Sequence, residues 1–217
     1  AKFCELYIIT EGEFWEKIEA AVPTLEQGGN MHFYYNPVSD EIRKMCWNQG
    51  DWRFYKYYRQ WQWKTYLIAK DICEKERIDV LHQLNMIGFR EPGYLWKLSK
   101  ENGVPFVWGP IGGLKQFPTA YLKGAGLKMQ LFMRLKNFLN IWQLKHEKRV
   151  DEALKTAKLL ISSIPDSYRA LKKYKGLESI VIPETGCFLS DDISTARFDN
   201  EEFHIMWVGK FDFRKQL

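Results

Sequence analysis

The chain has little cysteine: four residues in 217, none of them in a C-x-x-C pair. Cys4, Cys46, Cys73 and Cys187 stand apart, without metal-like spacing, which argues against a disulfide-stapled secreted scaffold and for a reducing compartment. Apolar runs longer than a strand are missing, so no segment reads as a membrane span. The first residues carry no cationic stretch followed by an apolar one, and nothing there reads as a secretory signal. Acidic residues are absent from one long stretch. Between Glu101 and Glu147 there is none, while Lys115, Lys123, Lys128, Arg134, Lys136 and Lys145 all fall there. Such a block suits phosphates, nucleic acid or an anionic membrane; it is equally a solvated helix face balanced by acids elsewhere in the fold.

Aromatic residues, by contrast, are abundant at 16%, and with 46% hydrophobic residues a packed core needs no disulfides. Short apolar runs alternate with longer helical patterns. Strands are expected at 5–10, 32–35, 80–84, 105–108, 159–162, 180–182 and 205–208. Helical patterns lie between them. A short one over 11–22 stops near Pro23, and a long aromatic-rich one runs from an N-cap at Ser39 to Arg77 with a break at 48–51. Further helices are expected at 94–100, over the basic region 121–158, and at 167–174, capped by Asp166 or Ser163. Trp52, Tyr55, Tyr58, Trp61, Trp63 and Tyr66 fall near helical spacing. They read as packing rather than a base-stacking platform, because no glycine-rich or sheet-borne arrangement accompanies them. This alternation predicts an α/β fold with a Rossmann-like, doubly wound parallel sheet, whose ligands collect at the C-terminal strand ends.

Those ends carry suggestive residues: His82 and Asn85 after Val80-Leu81, Gly112 and Gly113 after Val107-Trp108, Glu184 after Ile182-Pro183, and Gly209-Lys210 after Val208. Taken singly, each is explained by a turn, a structural histidine or surface charge. Their shared position on one inferred sheet edge points to a ligand. His82 suits hydrogen bonding or base work toward a hydroxyl. Gly112 and Gly113 let backbone N–H groups approach an anion or a sugar closely. Lys210 and Lys215 suit a diphosphate leaving group.

The ordered motifs resemble a glycosyltransferase of the GT-B type, family 4, the group 1 retaining transferases. Asp79-Val80-Leu81-His82 is similar to that family's "DvvH" strand, and 88–98 followed by Trp108-Gly109-Pro110-Ile111-Gly112-Gly113 resembles a branch with a "W-G-P-x-G-G" loop. Ile182-Pro183-Glu184-Thr185-Gly186 resembles "vipNGvd", and the segment from Gly209 to Leu217 resembles "GRLdprKGl", which opens the nucleotide-binding domain. The resemblance spans most of 78–217; residues 1–77 fit in pattern only. Lys210 stands where the family has arginine, Gln216 where glycine is usual, and Leu84 where many relatives have a second histidine.

The resemblance implies two Rossmann-like domains facing across a cleft, with a nucleotide-sugar donor as co-substrate, retention at the anomeric carbon, and no metal or other cofactor. On that basis 1–186 is expected to be the acceptor-side domain without its first β-loop-α unit, 187–203 a linker, and 204–217 the first strand of a truncated donor-binding domain. The implied roles are catalytic for His82; substrate-binding for Asn85, Arg90, Gly112, Gly113 and Glu184; and donor-phosphate binding for Gly209, Lys210 and Lys215. The acceptor is expected to be a glycan or lipid-linked molecule, and the location cytoplasmic, at the inner face of the membrane. The chain alone is expected to be inactive, its acidic E-x7-E signature belonging to the part it lacks. Residues 121–149 interleave apolar side chains with cations, which suits peripheral attachment to anionic lipid; the alternative is a crossover helix whose stripe packs on the sheet. No nucleic-acid partner is expected. A GT-B epimerase or phosphorylase, or a basic Rossmann-like binding module without catalysis, are the competing functions.

Overall fold

Among the described residues every strand pairs parallel to its neighbour, so within each sheet the C-terminal strand ends share one edge. The computed structural model describes residues 1–47, 53–84 and 86–186. The expected break at 48–51, Asn85, the 187–203 linker and the 204–217 strand, with Gly209, Lys210 and Lys215, lie outside the described residues.

The elements in chain order are β1 (Leu6–Thr10), α1 (Trp15–Ala21), β2 (Met31–Tyr35), α2 (Asp40–Trp47), α3 (Phe54–Lys75), β3 (Leu81–Gln83) and α4 (Leu95–Asn102). After these come β4 (Phe106–Ile111), α5 (Leu127–His146), α6 (Lys148–Thr156), β5 (Leu159–Ser162), α7 (Pro165–Lys175) and β6 (Ile180–Val181). The fold is mixed α/β with parallel sheets, as expected. Two sheets are present among the described residues: β1 beside β2, and four strands in the sequential order β3-β4-β5-β6. That order contains no reversal, so the switch point of a doubly wound sheet does not occur within the larger sheet.

Alternation along the strands shows how that sheet is covered. Leu81, Phe106, Trp108 and Leu160 are buried against Leu98 of α4, Ala153 and Leu154 of α6, and Ala170 and Leu171 of α7. Registered residues of parallel strands share a face, so His82, Val107, Leu159, Ile161 and Ile180 lie on the opposite one. There Leu159, Ile180 and Ile182 remain exposed. Among the described residues the helices therefore cover one face only.

The smaller sheet is held by α3. Its buried residues Gln62, Thr65, Tyr66, Ala69 and Ile72 follow helical spacing and define one face. Buried Asn36, just after β2, donates to the Trp61 carbonyl and to Thr65 Oγ1, each at 3.0 Å, while Trp61 Nε1 donates back to the Asn36 carbonyl at 2.7 Å. Of the aromatic run expected to pack, Tyr66 is buried, while Trp63 and Tyr55 stay partly exposed and Trp52 lies outside the described residues; Trp63 stacks on Tyr66 at 4.9 Å and meets Tyr94 edge-on at 5.3 Å. Tyr66 Oη donates to Glu101, and that hydrogen bond, with burial and the carboxylate's charge, pushes the phenol up to about 12.

Two local expectations change. The basic region is not one helix: Glu147 takes an extended backbone and separates α5 from α6. The cap of α7 is also different. Ile164 occupies the N-cap without a side-chain bond, and Pro165 takes the first helical position, where its missing N–H leaves no bond unmade. Ser39 does cap α2, accepting from the Ile42 N–H at 3.4 Å. No helix among the described residues is long and apolar enough to cross a membrane.

Candidate functional site

The loops after β3 and β4 are zipped together at the sheet's C-terminal edge. Gly112 N–H donates to the Ile87 carbonyl at 2.7 Å, and Phe89 N–H donates to the Gly112 carbonyl at 3.2 Å. On the other side, Ser163 N–H and Ser163 Oγ both donate to the Ile111 carbonyl, at 3.0 and 3.1 Å. The end of β6 is tied in by Ile182 N–H, which donates to the Ser162 carbonyl at 3.0 Å. These bonds carry Glu184 over Gly112. A Cβ placed on Gly112 would lie 3.4 Å from Glu184 Oε1, 3.0 Å from Ser163 Oγ and 2.8 Å from Ile87 Cγ2. Glycine is therefore required by close approach.

The two glycines differ in use. The Gly112 N–H is already spent on Ile87, so it is not a ligand donor. Gly113 is exposed, and its N–H makes no hydrogen bond among the described residues. Its carbonyl accepts from buried Asn140 Nδ2 of α5 at 3.0 Å, which fixes the loop from behind. Gly113 and Glu184 are both exposed, and Glu184 lies over the neighbouring Gly112, so an unused backbone donor and a carboxylate acceptor belong to the same loop edge. Lys115, from the basic block, pairs with Asp166 at 2.9 Å, and the lysine, with Arg169, holds that carboxyl below its ordinary range.

His82 lies elsewhere, on the sheet face away from the helices. Its Nε2 is 2.8 Å from the Gly109 carbonyl. A carbonyl only accepts, so Nε2 carries the hydrogen, and in the neutral ring Nδ1 is left as the acceptor. The side chain is exposed, and a ligand hydroxyl can reach it from that face. Gly109 has φ +144°, and a Cβ there would fall 2.3 Å from the Ile161 carbonyl oxygen. The close approach of β4 to its neighbour β5, at the register shift between Trp108 and Ile111, thus sets where the histidine's partner sits.

Arg90 occupies a third place, on the helix side. It lines a cavity of about 310 Å³ with Tyr55, Arg59, Glu91, Gln143, Glu147 and Val150. Its Nε donates to Gln143 Oε1 at 2.7 Å, and burial pulls its guanidinium below the ordinary value. Next to it Glu91 is almost fully buried and bridges two arginines: Arg59 at 2.8 Å and Arg149 at 2.7 Å. Burial pulls Arg149 down, but the Glu91 carboxylate outweighs it and holds the group above its ordinary value.

The structure therefore brings Gly112, Gly113 and Glu184 together, and sets His82 and Arg90 on the two opposite sides of the sheet. Sequence reasoning missed Ser163, Asn140 and the Arg59–Glu91–Arg149 cluster. Glu91 stood inside a quoted motif, but Arg149 was indistinguishable from its cationic neighbours. Among the described residues no group of three or more histidine, cysteine or acidic side chains is placed to hold a metal ion. No family model matches the chain, and neither does a curated protein or a solved structure.

Proposed function

We propose that the chain is the acceptor-side part of a retaining sugar transferase that moves a sugar from a nucleotide donor to a glycan or lipid-linked acceptor. The observation that carries this reading is the Glu184 carboxylate lying over Gly112, whose chain neighbour Gly113 keeps its N–H unused, at the C-terminal edge of a parallel sheet. A carboxylate acceptor next to a backbone donor matches vicinal hydroxyls, the repeating feature of carbohydrate. His82 Nδ1, on the far face, is available to a second hydroxyl. The donor side of the reading rests on Lys210 and Lys215, the two cations of the "GR…K" resemblance.

The test is saturation-transfer NMR of the chain with a panel of oligosaccharides and nucleotide sugars. Glycan binding is expected, weakened about tenfold or more by Glu184→Gln, since a hydrogen bond to a charged group is lost. Absence of glycan binding, together with salt-sensitive retention on nucleic acid, would replace this reading with the binding module.

A further inference from the structure

Helix α5 is built inside out. Its inward face presents Gln130, Met133, Asn137, Asn140 and Leu144, of which Met133, Asn140 and Leu144 are buried. The asparagines there anchor a loop: Asn137 exchanges two hydrogen bonds with the Phe117 backbone, at 2.9 and 2.8 Å, and Asn140 holds Gly113. Its outward face is apolar. Leu127 is 83% exposed, Leu131 71%, Leu135 52%, Phe138 62% and Trp142 51%. At about 100° per residue these five fall within about 80° of arc, a single ridge along a helix about 30 Å long. Phe132 and Leu139 widen the ridge on one side and are exposed as well. A helix on a protein surface normally has the reverse arrangement, with polar residues outward.

The charges around the ridge identify what covers it. Lys128 and Arg134 flank it on opposite sides, about 60° from its centre, Lys136 lies further round the helix, and Lys123 precedes its first turn. None of the four forms an ion pair among the described residues. No acidic residue occurs between Glu101 and Glu147 to offset them. A second copy of the chain docking on this ridge would press the same cations together. An anionic bilayer instead takes the ridge among its acyl chains and the cations among its headgroups.

We infer that α5 lies flat in the surface of an anionic membrane, its Leu127–Leu131–Leu135–Phe138–Trp142 ridge inserted about 5–10 Å and its cations on lipid phosphates. Because α5 also fixes Gly113, this docking holds the candidate site at the membrane surface. The contact stands on α5 itself and does not depend on the sugar-transfer reading.

The test is co-sedimentation of the 217-residue chain with phosphatidylglycerol-containing vesicles and with pure phosphatidylcholine vesicles at low salt. Enrichment on the anionic vesicles is expected, fading as salt is raised. The triple variant Leu131→Ser/Leu135→Ser/Phe138→Ser should bind about tenfold more weakly or worse. Lys128→Gln and Arg134→Gln should each reduce binding about fivefold. All five side chains are exposed, so circular dichroism should confirm an unchanged fold. The inference is overturned by no enrichment at low salt, or by enrichment that the triple variant retains. It is equally overturned by a lipid-free dimer, seen by sedimentation equilibrium, that the triple variant dissociates.

Discussion

Replacing Glu91 is the most exacting test of how the site's scaffold is held. The residue is 1% exposed, and its carboxylate bridges two arginines that otherwise share one patch. Glu91→Ala leaves Arg149, whose side chain is only 20% exposed, with the more distant Glu147 carboxylate at 3.9 Å in place of the 2.7 Å bridge. Removing one partner of a buried pair costs about 3–5 kcal/mol. Arg59 is 50% exposed and can return to water, so the loss should sit at the lower end, about 3 kcal/mol. For a chain of this size that is a fall in Tm of roughly 6–12 °C. Glu91→Gln keeps the volume and one acceptor oxygen, and should cost about 2 kcal/mol. Replacing Glu91 and Arg149 together by leucine and methionine removes the poorly paired charge and should recover part of the loss. Urea unfolding followed by tryptophan fluorescence and circular dichroism measures all three. A loss below about 1 kcal/mol for Glu91→Ala, or a double variant no more stable than Glu91→Ala, would refute the buried-bridge argument.

Gly109→Ala should destabilise strongly, by about 3 kcal/mol or more, because its Cβ would meet the Ile161 backbone oxygen at 2.3 Å in a φ that alanine avoids; a soluble, normally stable variant in thermal unfolding would contradict this close approach of β4 to β5. Stability should also fall in acid. Hydrogen bonds from Lys155 and Lys175 hold Asp151 below its ordinary 3.8, so its contribution is complete above that pH and is lost as pH drops through the lowered value. Asp151→Asn should flatten the pH dependence of urea midpoints below about pH 4; an unchanged slope would place the acid sensitivity elsewhere.

Much of the fold was legible because local patterns and tertiary demands agree. Every strand expected within the described residues forms, since short β-branched runs bounded by turns have few alternatives. Tyr66 of the α3 aromatic run packs as expected. Less visible were features that depend on partners distant in sequence. The extended residue at Glu147 splits a pattern that looks continuous, and the α7 N-cap falls at Ile164 rather than Ser163 or Asp166, whose side chains are taken up elsewhere: Ser163 bonds the Ile111 carbonyl and Asp166 pairs with Lys115.

The candidate site divides along the same line. The sequence by itself determined the parallel α/β class, which residue types stand at the strand ends, and the cationic stretch free of acids, because each follows from residue type and spacing. Only the tertiary structure decided that Gly112 spends its N–H on Ile87 while Gly113 keeps its own, and that Glu184 comes over them whereas His82 and Arg90 do not. It also decided which way α5 faces. Periodicity gives a helix its stripe, but the side that turns inward is set by what the neighbouring loops need, and here Phe117 and Gly113 needed asparagines. The apolar ridge was left outside, with its cations, because hydrogen bonds to a backbone loop hold the other side.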